Sequence, residues 1–382
     1  MKTRIIYIED TYALTEEARD LIKQAADVLK RGGLVVFPTE TVYGIGANAF
    51  DEDAVGRIYE AKGRPPDNPM IVHIASAGDI GLLSEKISPE AARLADVFWP
   101  GPLTMVLEKR PEIPARVTGG LSTVGVRFPG NEIAVELIRL AGVPVAAPSA
   151  NLSGRPSPTR AEHVISDLDG KVDVILAGPD CRVGIESTVI DMTVSPPQVL
   201  RPGLVTKDDI ETALGGFIGL SEHTGDGSFC VAEQAAAEHT GDGSFCVAGS
   251  PDQAAVDAQG PQSPEPQSQG QRSQGPRSPG MKYRHYAPKA KMLIISGQQE
   301  KVSAEIARLK ALNEELGLRV GVLQFRDNDN VAIARDFYAA LREIDAKGVD
   351  LILVGALPDT DGVGFAVMNR MLKAADNNVV HV

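Results

Sequence analysis

Several short stretches of the sequence carry side chains that suit an anionic substrate. The first, PTETVYGIGANA at residues 38–49, follows the apolar run LVVFP and offers hydroxyls, an acid and two glycines, with Thr41 as the candidate contact. Ligands of open α/β sheets bind where strands end, so a strand that leads into this loop predicts a binding site. An ordinary glycine-containing loop would have the same composition, and this stretch alone does not separate the two interpretations.

A second stretch, AKGRPPDNPMIVHI at residues 61–74, holds Lys62, Arg64 and Asn68 at the predicted end of a helix and His73 in the next strand. A fixed lysine and arginine pair suits phosphate, because arginine binds as a fork and lysine as a point charge. Cations near a helix C-terminus also favour the helix dipole, which is the structural alternative. A lone strand histidine is more often a core residue, so His73 is a candidate only together with its neighbours.

Three later stretches add polar side chains within strands or at strand ends. In LSTVGVRFP, residues 121–129, strand alternation places Thr123 and Arg127 on the face opposite the valines. An arginine in a covered strand needs either a protein acid or a ligand anion, and the sequence leaves both open. The remaining candidates are Ser149 and Ser157 in APSANLSGRPSPT, Ser187 in GIESTVIDM and Arg201 in VLRPG.

The elements around these stretches predict an α/β protein with two domains. Residues 1–215 alternate helix patterns with apolar strands, which indicates a mixed twisted sheet with helices. Residues 290–382 show three strand–helix pairs in succession, typical of a small parallel Rossmann-like sheet with helical crossovers. No GxGxxG motif follows the first of these strands, so the pattern does not predict dinucleotide binding there.

Residues 216–289 are predicted to be a linker. The segment EHTGDGSFCVA occurs at 222–232 and again at 238–248, and residues 259–280 are almost entirely Gly, Pro, Ser and Gln. Such a composition cannot bury enough apolar surface to offset the entropy of ordering, which predicts disorder. The linker ends in YRHYAP, whose aromatic and basic side chains are unusual for a disordered segment. They would suit packing at the start of the second domain.

Composition argues against several classes of protein. The formal net charge of −13 over 382 residues disfavours a general nucleic-acid coat, although it does not exclude a basic pocket. No apolar run is long enough to span a membrane, and the N-terminus has no apolar signal segment, so we expect a cytoplasmic protein without membrane contact. The three cysteines lie far apart, so neither a zinc site nor a disulfide framework is expected, and no resident metal site is predicted.

Taken in order, these motifs resemble the YrdC-type domain of L-threonylcarbamoyladenylate synthases. The resemblance rests on PTETVYGIGANA, KGRPPDNPMIVH, STVGVRFP, APSANLSGRPSPT, ESTVID and LRPG, which occur between residues 38 and 203. YRHYAP followed by a small α/β domain is similar to the two-domain form of the same family. The resemblance implies a YrdC-type N-terminal domain that is catalytic and a smaller C-terminal domain.

The resemblance also implies an activity and a set of site residues. The enzyme would be a nucleotidyltransferase that makes threonylcarbamoyl-AMP and pyrophosphate from L-threonine, bicarbonate or CO2, and ATP with Mg2+. The implied L-threonine contacts are Thr41, His73, Arg127 and Ser187. The implied ATP site consists of Lys62, Arg64, Asn68, Thr123, Ser149, Ser157 and Arg201, with Lys62 and Arg64 catalytic. The linker would form a lid over the cavity through Tyr283, Arg284, His285 and Tyr286.

The implied partners follow from the product. It would pass to a tRNA threonylcarbamoyl-transferase for N6-threonylcarbamoyladenosine synthesis, with a weak direct contact to tRNA. Two other functions stay open: an RNA-binding YrdC-type module without chemistry, and a carbamoyl-adenylating enzyme for another acceptor. The acidic total argues against the first, and the missing zinc-finger cysteines and further domains argue against the second.

Overall fold

The structure is a computed structural model that describes residues 2–9, 13–220, 286–325, 329–357 and 362–382. The duplicated segment, the low-complexity residues 259–280 and three of the lid residues, Tyr283, Arg284 and His285, lie outside the described residues. The predictions made for them therefore stay predictions.

The first half of the chain forms an eleven-stranded mixed sheet with helices against it. The helices are α1 (Glu16–Lys30), α2 (Glu52–Lys62), α3 (Pro89–Phe98), α4 (Ala115–Thr118), α5 (Glu132–Ala141), α6 (Ala161–Leu168) and α7 (Lys207–Leu214), with a 3-10 helix at Ala77–Leu82. The strands are β1 (Arg4–Tyr7), β2 (Val35–Phe37), β3 (Gly44–Asn48), β4 (Ile71–His73), β5 (Leu103–Glu108), β6 (Thr123–Arg127), β7 (Val145–Ala146), β8 (Val174–Ala177), β9 (Thr188–Asp191), β10 (Gln198–Arg201) and β11 (Gly219–Leu220). Their order is β1-β8-β2-β3-β7-β4-β6-β5-β9-β10-β11, so β11 extends the sheet beyond the predicted boundary at residue 215.

Helix α2 shows how local sequence signals place two of the predicted site residues. The Asp51 side chain accepts from the backbone N–H groups of Asp53 and Ala54 at 3.1 and 3.0 Å, which caps the N-terminus. Gly63 ends the helix in the left-handed conformation, with φ 62°, which a residue without Cβ adopts without strain. The helix therefore ends at Lys62, and Arg64 follows directly after the cap.

The predicted loop over residues 38–49 needs a correction. Only its first half is a loop, since Gly44–Asn48 is strand β3, which pairs antiparallel with β2. A Cβ on Gly46 would lie 2.6 Å from Val145 Cγ1 and 2.7 Å from Phe37 Cε1. This glycine is therefore required by close packing between strands rather than by a turn.

The second half of the chain confirms the predicted parallel sheet with helical crossovers. Its elements are β12 (Lys291–Ser296), α8 (Gln299–Glu315), β13 (Val320–Leu323), α9 (Asn330–Ala346), β14 (Leu351–Gly355), α10 (Gly362–Ala374) and β15 (Val379–His381). The strand order is β13-β14-β12-β15, and all pairs are parallel. The last strand was not predicted.

The two halves share a hydrophobic core. Val42, Val183 and Ile185 of the first half are buried in one cluster with residues of the second, including Tyr338 of α9. Gly184 approaches α9 so closely that a Cβ there would lie 2.3 Å from the Arg335 Cα atom. Throughout the described ranges, every helix is too short or too polar to cross a membrane.

Candidate active site

A cavity lies at the ends of β2, β4, β6 and β10. It is lined by nine residues that the sequence analysis selected separately: Thr41, Lys62, Arg64, His73, Arg127, Ser149, Ser187, Arg201 and Tyr286. Nonlocal pairing brings them together. His73 and Arg127, for example, are direct neighbours on the parallel strands β4 and β6.

Arg127 dominates one end of the cavity. It is buried, its Nη1 donates to Thr41 Oγ1 at 2.9 Å and its Nε donates to the Gly101 carbonyl at 3.2 Å. Its Nη2 forms an ion pair with Glu40 Oε1 at 2.7 Å, although the two groups are not aligned as a hydrogen bond. The protein acid that the sequence left open is therefore present, and Nη2 keeps hydrogen-bonding capacity for a second anion.

His73 is buried beside Arg127, and its Nδ1 has no hydrogen-bond partner among the described residues. Burial and the nearby Arg127 charge lower the pKa of His73 to about 3. The imidazole is therefore neutral at physiological pH and acts as a hydrogen-bonding group, not as a cation. Buried polar groups are nearly always paired in native proteins, so Nδ1 of His73, a residue that lines the cavity, is a candidate for a ligand contact.

Lys62 is held against the loop that follows β7. Its ammonium donates to the backbone carbonyls of Ser149 and Asn151, while the Ser149 hydroxyl bonds Asn151 Oδ1 at 2.6 Å. Burial, and then the charge of Arg64, lower the pKa of Lys62 well below its ordinary value. Lys62 thus fixes the loop after β7 through two of the three donors of its ammonium.

Two arginines complete this end of the cavity. Arg64 donates from Nε to the Asn68 carbonyl and from Nη2 to the Pro69 carbonyl, at 3.2 and 2.8 Å. Arg201 donates to the Ser187 carbonyl at 2.9 Å and to its hydroxyl at 3.1 Å. Burial lowers the pKa of both guanidinium groups, that of Arg64 to about 10.

The three other predicted site residues do not line the cavity. Asn68 is buried, and its Oδ1 has no donor in the described part of the chain. Ser157 lies behind the wall, where its hydroxyl donates to Glu186 Oε1 at 2.5 Å. Thr123 opens β6 at its far end, opposite Glu108. A ligand contact through these three side chains stays a prediction.

The charge of the cavity favours an anionic ligand. Glu186 is the one carboxylate among the residues that line it. Five cations also line it: Lys62, Arg64, Arg127, Arg155 and Arg201. Buried cations without matching acids are unfavourable in isolation, and the lowered pKa values of Lys62, Arg64 and Arg201 express this cost. A phosphate or carboxylate ligand would remove much of it.

Of the four predicted lid residues, Tyr286 is the one that the structure describes. It is buried, lines the cavity and packs on Tyr338 with ring centroids 5.4 Å apart. Its φ of 65° is unusual for a tyrosine, and the next residue, Ala287, donates its N–H to the Gly154 carbonyl at 2.8 Å. The end of the linker thus contacts both the cavity and the loop that Lys62 holds.

Two acids of the site, Glu40 and Glu186, were not predicted as site residues. Each directly precedes a predicted contact, Thr41 or Ser187, and this adjacency is the signal that could have identified them. The described residues contain no group of three His, Cys, Asp or Glu side chains that could hold a metal ion by itself.

Comparison with known proteins places this geometry in context. Residues 27–203 match the family model described as "Telomere recombination", and residues 244–376 match the model described as "Threonylcarbamoyl-AMP synthase, C-terminal domain". A threonylcarbamoyl-AMP synthase of Pyrococcus abyssi is 43% identical over 371 residues, which cover 94% of this chain and 96% of that protein. A threonylcarbamoyl-AMP synthase of Bacillus subtilis is 39% identical, with full coverage of both chains.

A solved structure agrees with these matches. The crystal structure of P. abyssi Sua5 complexed with L-threonine covers all of this chain, with 40% sequence identity and a TM-score of 0.82. The similarity extends over both sheets.

Proposed function

The chain belongs to the threonylcarbamoyl-AMP synthase family, and from this premise we propose how its cavity works. The enzyme forms threonylcarbamoyl-AMP and pyrophosphate from L-threonine, CO2 or bicarbonate, and ATP. The observation that carries the assignment of roles is the grouping of the cations in the cavity: Arg127 lies beside Thr41 and His73, whereas Arg64 is close to both Lys62 and Arg201. The single arginine suits an amino-acid carboxylate, and the group of three cations suits a triphosphate.

L-threonine binds at the Arg127 end. Arg127 Nη2, which is near Glu40 but not aligned with it, receives the substrate carboxylate. Thr41 is fixed by Arg127 Nη1 and by Thr39, whose hydroxyl lies 2.9 Å from its own. The neutral His73 offers Nδ1 as an acceptor for the substrate amine or hydroxyl.

The chemistry then proceeds in two steps. The threonine amine loses a proton and its nitrogen forms a bond to the carbon of CO2, which gives an N-carboxylate. An oxygen of that carboxylate attacks the α-phosphorus of ATP. The bond between the α-phosphorus and the α,β-bridging oxygen breaks, and pyrophosphate leaves with that oxygen. Lys62, Arg64 and Arg201 stabilise the charge on the phosphoryl oxygens, and no protein nucleophile is needed.

Mg2+ enters with the triphosphate as part of the substrate. Mg2+ takes oxygen ligands and keeps several of its waters, so the phosphate oxygens of ATP can hold it without a cluster of protein carboxylates. The product passes to a tRNA threonylcarbamoyl-transferase, and any direct tRNA contact is weak.

The test is pyrophosphate release from ATP. Release that requires both L-threonine and bicarbonate, and that falls when serine replaces threonine, supports the proposal. Lys62→Ala and Arg64→Ala should lower turnover, whereas Lys86→Ala, which removes an exposed lysine paired with Glu108, should not. Wild-type rates in both active-site variants would contradict the assigned roles. Binding of RNA without any pyrophosphate release would favour the non-catalytic alternative.

A further inference from the structure

Arg370 lies on α10 of the second half of the chain, is fully buried and reaches two segments of the first. Its Nε is 3.3 Å from Glu186 Oε2, and its Nη2 donates to the Glu186 backbone carbonyl at 3.3 Å. Its Nη1 donates to the Pro202 carbonyl. One guanidinium therefore holds the residue before Ser187 and the residue after Arg201.

These two segments are the ones whose spacing the site depends on. Ser187 and Arg201 bond each other directly, through the Ser187 carbonyl and hydroxyl. The sheet pairs Arg201 with Val189, but the register of β9 with β10 shifts between Val199 and Arg201, so the ladder is irregular next to the site. An irregularity of this kind can re-aim a side chain and interrupts the regular ladder bonds.

Glu186 receives further donors from both halves of the chain. Its Oε1 accepts from Ser157 Oγ at 2.5 Å and from Tyr338 Oη at 3.1 Å, and its Oε2 lies 3.0 Å from the same Tyr338 oxygen. Burial alone would raise the pKa of Glu186, but Arg370 and Arg201 together hold it below its ordinary value. The carboxylate is therefore ionised and balances the charge of the buried Arg370.

We infer that Arg370 is a positioning residue of the active site, which holds Ser187 and Arg201 at the spacing that ATP and threonine require. The inference rests on the proposed function and gives the second domain a part in the reaction without substrate contact. The planar guanidinium of arginine suits this role. A lysine ammonium could not reach Glu186 Oε2, the Glu186 carbonyl and the Pro202 carbonyl in the same geometry. Misplacement of site groups by about 1 Å can lower activity by about a hundredfold.

The decisive variant is Arg370→Lys, which keeps the charge and loses the fork. A second variant, Glu186→Gln with Arg370→Met, removes both members of this ion pair, so neither Glu186 nor Arg370 is left as the unpaired half of a buried pair. Arg308→Lys is the matched control, since Arg308 is exposed on α8 and pairs with Glu305 one turn away on the same helix. The KM for ATP and kcat are measured by pyrophosphate release, and circular dichroism gives the folded fraction of each sample.

A positioning role predicts that folded Arg370→Lys has a KM for ATP raised by about tenfold or more and a kcat/KM lowered by about 10- to 100-fold. The double variant should show the same change, and the control none. A purely structural role would lower the maximal rate in proportion to the folded fraction and leave KM unchanged. That result, or wild-type kinetics in both variants, would overturn the inference.

Failure of the proposed function is distinguishable from failure of this inference. If wild-type protein releases no pyrophosphate, the proposed function fails, and the inference is then judged by the Kd of α,β-methylene-ATP, which cannot react. Binding about tenfold weaker in Arg370→Lys than in wild type supports the positioning role. Equal affinity overturns it.

Discussion

The buried ion pair of Arg127 with Glu40 gives the sharpest quantitative prediction. Glu40→Gln removes the protein acid from an arginine that is 4% exposed and lies 2.7 Å from the carboxylate. Arg127 would then have one anion available, the carboxylate of bound threonine. The variant should therefore be less stable than wild type when free and should gain more from the substrate.

The size of the effect follows from the geometry. At 2.7 Å and an effective dielectric constant of about 20, the attraction between two unit charges is about 6 kcal/mol. Desolvation of both groups offsets part of this, and removal of one partner of a buried pair costs about 3–5 kcal/mol. At about 2.1 cal/mol/K of unfolding entropy per residue, each kcal/mol shifts the Tm of a chain of 382 residues by about 1.2 °C. We therefore expect the Tm to fall by about 4–6 °C.

The assay is thermal unfolding with and without saturating L-threonine. Threonine should raise the Tm of Glu40→Gln by several degrees more than it raises that of wild type, because it supplies the missing negative charge. Glu112→Gln, which removes an exposed acid beside Arg110, should leave both values unchanged. An equal or smaller threonine shift in Glu40→Gln would refute the placement of the substrate carboxylate on Arg127.

Three further predictions concern protonation and the lid. Partial burial, and then the charges of Arg370 and Arg201, lower the pKa of Lys373 to about 7. The protonated side chain therefore destabilises the folded state most below pH 7, and this effect falls as the pH rises towards 10.5. Lys373→Met should raise the Tm at pH 6 and have little effect near pH 10.5. Because the pKa of His73 is about 3, the KM for threonine should show no inflection between pH 5 and 7. Tyr283→Ala with Arg284→Ala should lower kcat/KM without lowering the Tm, and unchanged kinetics would indicate that these residues only pack.

The parts of the fold that the sequence predicted well are those with local causes. The predicted helix end at Lys62 is one of them, because Asp51 and Gly63 act within one turn of the ends of α2. Strand β3 was missed because Gly46 is needed for contacts with Val145, about a hundred residues away. Its strand character depends on partners that no local pattern contains.

For the site, too, the sequence predicted the motif residues but not their distant partners. Motif residues such as Lys62 and Arg201 were predicted to meet, and the structure places both in one cavity. The partners that hold them were not predicted. Glu186 bonds Tyr338 and Arg370, which are 152 and 184 residues away, so its role becomes visible only when the two halves are packed.

The shared core has a consequence for the engineering of such chains. Val42, Val183 and Ile185 complete the core of the second sheet, and Gly184 leaves no room for a side chain beneath α9. A chain cut at residue 215 would expose these apolar side chains to water and invite aggregation. In this chain the two sheets therefore depend on matched residues at their contact. A chimera with a second domain from a distant relative should fold only if residues 42 and 183–185 are transplanted with it.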